Sequence, residues 1–344
     1  MELTPRKQAV LKAIVKAYIE TGEPIGSKIL TGLLENAPSS ATLRNEMSEL
    51  CELGLLKQPH TSAGRVPTAG GYRLYVDNLM SEKDVSRQTA DYIDKYLSEL
   101  NCEPEEIPKA AAELLTKLTG LPALSCIITD KSPKIKQVQL LPIGRNSFML
   151  VTLTDDGRAR SKILRIGKDL SDSAKECFNK VYEAHIKRKT VDILTKGYMQ
   201  SLIARSGMYA LELMPIFTAI FETAADIEER ALHLSGENAL YNISGSENEA
   251  RRIISLIKSR DPIVSMLENM EEAGGVIFGA DTGYRELDKD TIIAAKFSTA
   301  DKYKGYVGVI GPTRMSYEQI MPTVKYVAVK LNEIMALAQR DMED

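Results

Sequence analysis

The chain has 344 residues, 44% hydrophobic and 26% charged, with a formal net charge of -3. That composition excludes a disordered or fibrous protein and leaves room for two or three domains with sizeable cores. It carries no general nucleic-acid signature, so any contact with a polyanion has to come from a local arrangement of residues.

At the N-terminus, MELTPRKQAV places charges where a signal peptide needs an apolar run, and nowhere do about 18 uncharged apolar residues follow one another. A cytoplasmic protein without a membrane span is expected. Thr4-Pro5 predicts a helix start, because a threonine caps the first amides and a proline at the first helical position gives up no needed donor. Val10, Ile14 and Tyr18, with Leu11, Val15 and Ile19 beside them, repeat at helical spacing, and Thr21-Gly22-Glu23-Pro24 ends the helix. A short helix is expected over Ser27 to Leu34, with Ile29, Leu30, Leu33 and Leu34 on one apolar side.

The third helix, SSATLRNEMSELCELG, buries Leu43, Met47, Leu50 and Leu53. Ser40, Thr42, Arg44, Asn45 and Ser48 lie toward its other side near the N-terminal end. That arrangement suits base reading, since Arg bonds guanine and Asn bonds adenine in bidentate fashion from the first turns of a helix in the major groove. A solvated helix face is the plain alternative. After Gly54, Leu55 to Gln58 and Arg65 to Thr68 predict a two-stranded hairpin, its prolines tolerable only at an edge. Three helices and a hairpin are the order of a winged helix-turn-helix. His60, Thr61, Ser62 and Arg65 then fall where a wing meets phosphate or the minor groove, and Lys57 supplies a further phosphate contact. His60 as a turn residue is the alternative; as a catalytic base it has no Ser, Asp or Cys motif to serve. Residues 1–75 carry nine Lys/Arg against seven Asp/Glu, so this part is net positive and the remainder negative.

GSKIL, SSATLRNEMSELCELGLLKQPHTSAGRVPTAGGYRLYVDNL and, far downstream, GVIGPTRMSYEQIM resemble the heat-inducible transcription repressor family, HrcA. The resemblance covers most of the chain. It implies a dimer that represses chaperone genes by binding an inverted-repeat operator in double-stranded DNA, with the chaperonin GroEL as modulator. The contacts it implies are those of the matching residues: Ser40, Thr42, Arg44 and Asn45 on the recognition helix, and His60, Thr61, Ser62 and Arg65 in the wing. It also implies a GAF-like sensor-type domain interrupted by a dimerisation domain. The chain departs from the family pattern at FGADTGYRELD, Phe278 to Asp288.

Beyond the hairpin, helices are expected over Tyr72 to Met80 and Val85 to Leu100. LSCIITD, KIKQVQLLPIG, SFMLVTLTDDG and RARSKILRIG read as one antiparallel sheet. Helical pattern returns at Asp172 to Lys189 and Tyr209 to Leu232, strand pattern at GGVIFGAD, TIIAAKFSTA and YKGYVGVIGPT, and Tyr317 to Ala338 closes the chain as a helix. The expected fold is α+β and multidomain. Residues 1–75 form the winged helix-turn-helix, 76–102 the linker helices, 103–175 with 256–344 the GAF-like α/β domain, and 176–255 the inserted helical dimerisation domain.

Other signals are weaker. Cys51, Cys102, Cys126 and Cys177 are widely spaced without a CxxC, so neither a disulfide framework nor a zinc site is expected. GGVIFGADTG lacks both nucleotide-loop patterns, and no cofactor is expected. Arg314 in GPTRMSY is compatible with bridging domains, pairing with a carboxylate or touching a ligand. No convergent titratable set points to an enzyme. A metabolite-sensing regulator and a winged helix used for protein contact are the competing functions.

Overall fold

The computed structural model describes all residues except 1–2, 36, 61–62, 82, 101–105, 129–132, 156, 167–169, 229–231, 260, 271–273, 299–303 and 344. The side-chain surroundings of 338–343 also lie outside the description. Thr4 caps the first helix, α1 (Pro5–Thr21), accepting from the Lys7 amide, and Gly22 closes it in the left-handed conformation with its N–H on the Tyr18 carbonyl. A Gly is suited to that φ of 73°. Two more helices follow, α2 (Ser27–Leu33) and α3 (Ser40–Glu52), the latter capped by the Ser39 hydroxyl. Val10, Leu11, Ile14, Leu30, Leu43 and Leu50 are fully buried among them. The apolar side expected for α2 is divided: Leu30 is buried, whereas Ile29 is 55% and Leu33 50% exposed. A seven-residue helix turns only one narrow stripe to its neighbours, so the other apolar side chains face out.

The hairpin pairs β1 (Leu56–Lys57) with β2 (Val66–Pro67) in antiparallel register. Its base is joined to the turn before α2 by two backbone bonds, Ile25 N–H to the Arg65 carbonyl at 3.0 Å and Arg65 N–H to the Ile25 carbonyl at 2.9 Å. Only a glycine fits at Gly64, where a Cβ would overlap the Ile25 carbonyl. A helix, α4 (Ala69–Leu74), then runs into a π-helical turn over Tyr75–Leu79, and α5 (Arg87–Ser98) follows.

The chain divides into two compact units, one of residues 1–128 with 231–344 and one of 129–230. The first unit holds the three-helix segment and a five-stranded antiparallel sheet in the order β7-β3-β10-β9-β8. Its strands are β3 (Ala123–Ile128), β7 (Leu232–Ser235), β8 (Gly275–Phe278), β9 (Asp290–Ser298) and β10 (Lys304–Pro312). Helices α6 (Ile107–Thr119) and α13 (Tyr317–Glu343) pack against the sheet, and α10 (Glu237–Ile243), α11 (Glu247–Lys258) and α12 (Asp261–Glu268) complete this unit. Its interior has Phe297, Val307, Val309, Val324 and Leu331 with α6 and α13, and Ile253, Ile257, Ile263, Ile292 and Ile310 with α11 and α12.

In the second unit, β4 (Ile135–Gly144), β5 (Ser147–Thr154) and β6 (Ala159–Arg165) make a separate three-stranded sheet. Helix α9 (Ala210–Glu228) packs on β5 and β6, and α7 (Asp172–His185) and α8 (Lys196–Arg205) lie against it. Ile135, Leu150, Ile216, Phe217 and Ile220 form the core, with the buried Thr152 and Thr223 hydroxyls 2.7 Å apart.

Two sequence expectations are corrected. The four strand runs from LSCIITD to RARSKILRIG do not share one sheet: β3 pairs with β7 and β10, while β4, β5 and β6 make a sheet of their own. Packing also divides the chain at 129 and 230 rather than at 176 and 255, because β4–β6 bury their apolar face against α9, whereas α10 and α11 bury theirs with β3 and β9. Between Leu100 and Ala123, where the pattern reading placed no element, α6 stands between Pro108 at its start and Gly120 at its end.

Candidate nucleic-acid interface

Helix α3 is amphipathic by construction. Leu43, Met47 and Leu50 point inward, and the intervening positions place Arg44 and Asn45 at the surface one turn from the N-cap. Neither side chain has a hydrogen-bond or ion-pair partner among the described residues. The next two acids on α3 are engaged, Glu46 with Arg6 at 3.8 Å and Glu49 with Lys7 at 2.6 Å, both on α1. The pairing with Glu49 raises the Lys7 ammonium above its ordinary value. These bonds tie α1 to α3 and leave the first turns of α3 with an unpaired cation and an unpaired amide. An unpaired guanidinium and a free carboxamide are the groups that bond base edges or phosphate.

The three hydroxyls expected beside them are used within the fold. Ser40 Oγ lies 2.8 Å from Ser27 Oγ, joining the starts of α2 and α3. Thr42 Oγ1 lies 3.0 Å from Ser39 Oγ, and Ser48 Oγ donates to the Arg44 carbonyl at 3.0 Å. Each keeps acceptor capacity for a further partner.

On the hairpin, Lys57 and His60 are exposed and without a side-chain partner among the described residues. Gln58 Nε2 donates to the Ala63 carbonyl at 3.1 Å across the turn. Thr61 and Ser62, expected at the tip, lie outside the described residues. Arg65 sits at the hairpin base, half-buried, its Nη1 3.5 Å from the Ala63 carbonyl and its buried Nε without a partner. The sequence pattern does not single out Lys28, an exposed cation in the first turn of α2 that is unpaired among the described residues; its signal is its place directly after the Gly26-Ser27 helix start.

A cleft of about 570 Å³ lies in the same unit, lined by Lys83, Ser86, Thr89, Arg314, Glu318 and Thr323 among others. Among the described residues no cluster of three or more His, Cys, Asp or Glu could hold a metal ion. Among them, too, no helix is long and apolar enough to cross a membrane.

Residues 105–321 match the family described as HrcA protein C terminal domain. The heat-inducible transcription repressor HrcA of Methylobacillus flagellatus is 31% identical over 97% of this chain and 99% of its own length. That of Acholeplasma laidlawii is also 31% identical, over 96% of this chain and 97% of its own. A crystal structure of a hypothetical protein superposes with a TM-score of 0.61 at 24% identity, covering 98% of this chain and all of that one, which supports the fold alone. With the family matched over more than half of this chain and relatives similar from end to end, this chain belongs to the HrcA family of heat-inducible transcription repressors.

Proposed function

We propose that the chain is a dimeric, sequence-specific repressor of chaperone operons that acts as a DNA-binding protein and not as an enzyme. In this reading α1, α2, α3 and the β1–β2 hairpin form a winged helix-turn-helix. Arg44 and Asn45 read base edges of an inverted repeat, with Ser40, Thr42 and Ser48 beside them, while Lys57, His60, Thr61, Ser62 and Arg65 hold backbone phosphates. The observation that carries the reading is the exposed Arg44–Asn45 pair, unpartnered among the described residues, at the start of a helix whose two nearest acids, Glu46 and Glu49, are drawn away to α1. The β7-β3-β10-β9-β8 sheet with its helices is the GAF-like body in this reading, and the inserted unit supplies the dimer contact. Met208, between α8 and α9, and Leu211, in the first turn of α9, are 87% and 85% exposed and support such a contact. Modulation by the chaperonin GroEL rests on the family resemblance; adding chaperonin to heat-inactivated protein should restore DNA binding, and no recovery would remove this part.

The test of the DNA reading is a fluorescence anisotropy titration of the full chain against an inverted-repeat duplex and a scrambled duplex at one physiological salt concentration. Clear preference for the repeat supports it, and equal weak binding by folded protein would sink it. A second reading, a regulator that answers to a small molecule held in the body, is favoured by the cleft of about 570 Å³, a volume within the range of ligand sites. A thermal-shift screen with metabolites separates the two.

A further inference from the structure

The corner between β10 and α13, in GPTRMSYE, takes no part in the proposed reading of bases, yet three segments around the N-terminal helices converge on it. Glu318, in the first turn of α13, has a side chain only 12% exposed. It accepts from Tyr75 Oη at 2.7 Å and pairs with Lys16 Nζ at 2.7 Å and Lys83 Nζ at 3.0 Å. Lys16 belongs to α1, Tyr75 opens the π-helical turn, and Lys83 lies in the segment before α5. Burial alone would raise the Glu318 carboxyl, but its donors Lys16, Tyr75 and Lys83 hold it down at about 2, so it is charged at any pH at which the chain works. The start of a long helix further favours a carboxylate there.

The same corner makes a second attachment. Arg314 Nη1 donates to the Ile19 carbonyl near the end of α1 at 3.4 Å. The guanidinium lies against Gly22, where a Cβ would come 2.7 Å from Nη1. Between the two polar ties, the Tyr317 ring stands 6.1 Å from Tyr72 and 6.2 Å from Phe278, centroid to centroid. Apolar contacts of this kind tolerate small rotations, whereas a half-buried carboxylate held by three donors narrows the choice of geometry. The joint is therefore directional.

Reading one half-site needs only α3 and the hairpin. Reading both halves of an inverted repeat needs two modules held at a fixed separation. We infer that Glu318 is a positioning residue that fixes the DNA-reading module on the body and so sets the operator spacing the dimer accepts. The inference rests on the DNA reading above and adds to it the element that determines spacer specificity.

The experiment uses the full chain in anisotropy titrations at fixed salt against the inverted repeat, a single half-site, a repeat with its spacer lengthened by about two base pairs, and a scrambled duplex. Glu318→Gln keeps the size of the side chain and removes its charge. It should bind the half-site within about twofold of wild type, lose about tenfold on the full repeat, and show a flattened penalty for the longer spacer, because a loose module lowers the effective concentration of the second contact. If Glu318→Gln fails to fold, as judged by circular dichroism, Lys16→Met carries the test with the same expected pattern. Folded variants that retain wild-type affinity for the repeat and the full spacer penalty would overturn the inference. So would an equal loss on half-site and full repeat, which marks a damaged module rather than a misplaced one. A wild-type chain that does not prefer the repeat to the scrambled duplex overturns the DNA reading itself, so the two failures are told apart.

Discussion

The three-helix module has two polar faces that differ in one respect. At the front, Arg44, Asn45, Lys57 and His60 stand exposed with no partner among the described residues. At the rear, Lys16, Tyr75 and the Ile19 carbonyl are each taken up by Glu318 or Arg314. A small module gains little from leaving polar groups idle and even less from burying them unpaired, so partnered and unpartnered faces mark different tasks. The rear is finished within the chain; the front carries polar groups that no described residue takes up.

Changes to the core that both faces share should have the largest effect. Leu43→Ala empties a fully buried position on α3 and should cost about 2–5 kcal/mol, lowering the thermal midpoint and abolishing operator binding together. Arg44→Ala should divide the faces instead: a loss of about 1–3 kcal/mol in preference for the repeat over a scrambled duplex, with an unchanged melting curve. An unchanged preference would remove Arg44 from base reading.

The rear face should be sensitive to acid and the front should not. The Glu318 carboxyl is depressed from 4.5 to about 2 in the fold, so its stabilisation is fully present above about pH 4.5 and is lost as pH falls toward 2. Both lysines are partly exposed to solvent, which reduces the contribution to about 1–2 kcal/mol. Urea midpoints of wild type and Glu318→Gln should differ by a constant amount from pH 8 to pH 5 and converge below that. A difference that persists undiminished at pH 2.5 would break the contrast. The smallest effect belongs to Lys57→Ala, which should weaken binding to every duplex alike and reduce the salt slope of affinity by about one.

How far the sequence foretells these faces depends on the distance over which each is made. Helix α1 was legible to the residue at its start because Thr4-Pro5 is a local cap, and α3 to within one residue because Ser39-Ser40 are both capping residue types. Arg44 and Asn45 were legible because the stripe Leu43, Met47, Leu50 fixes the opposite side of one helix. The Ser27 hydroxyl that engages Ser40, and the Ile25 backbone that places Arg65 at the hairpin base, come from other segments and leave no periodic trace. Glu318 was illegible for the same reason on a larger scale: its Tyr75 partner is 243 residues away. Strand pairing followed this rule too, since β3 reads like its successors β4–β6 and joins β10 instead.

The contrast is tested most directly by amide hydrogen exchange of the full chain, alone and with saturating inverted-repeat duplex, against a scrambled control. The account expects slowed exchange confined to the start of α3 and to the hairpin, with Lys16–Gly22 and Arg314–Glu318 unchanged because their partners are already in place. Protection that arises at the Glu318 corner while α3 and the hairpin exchange as before would contradict it.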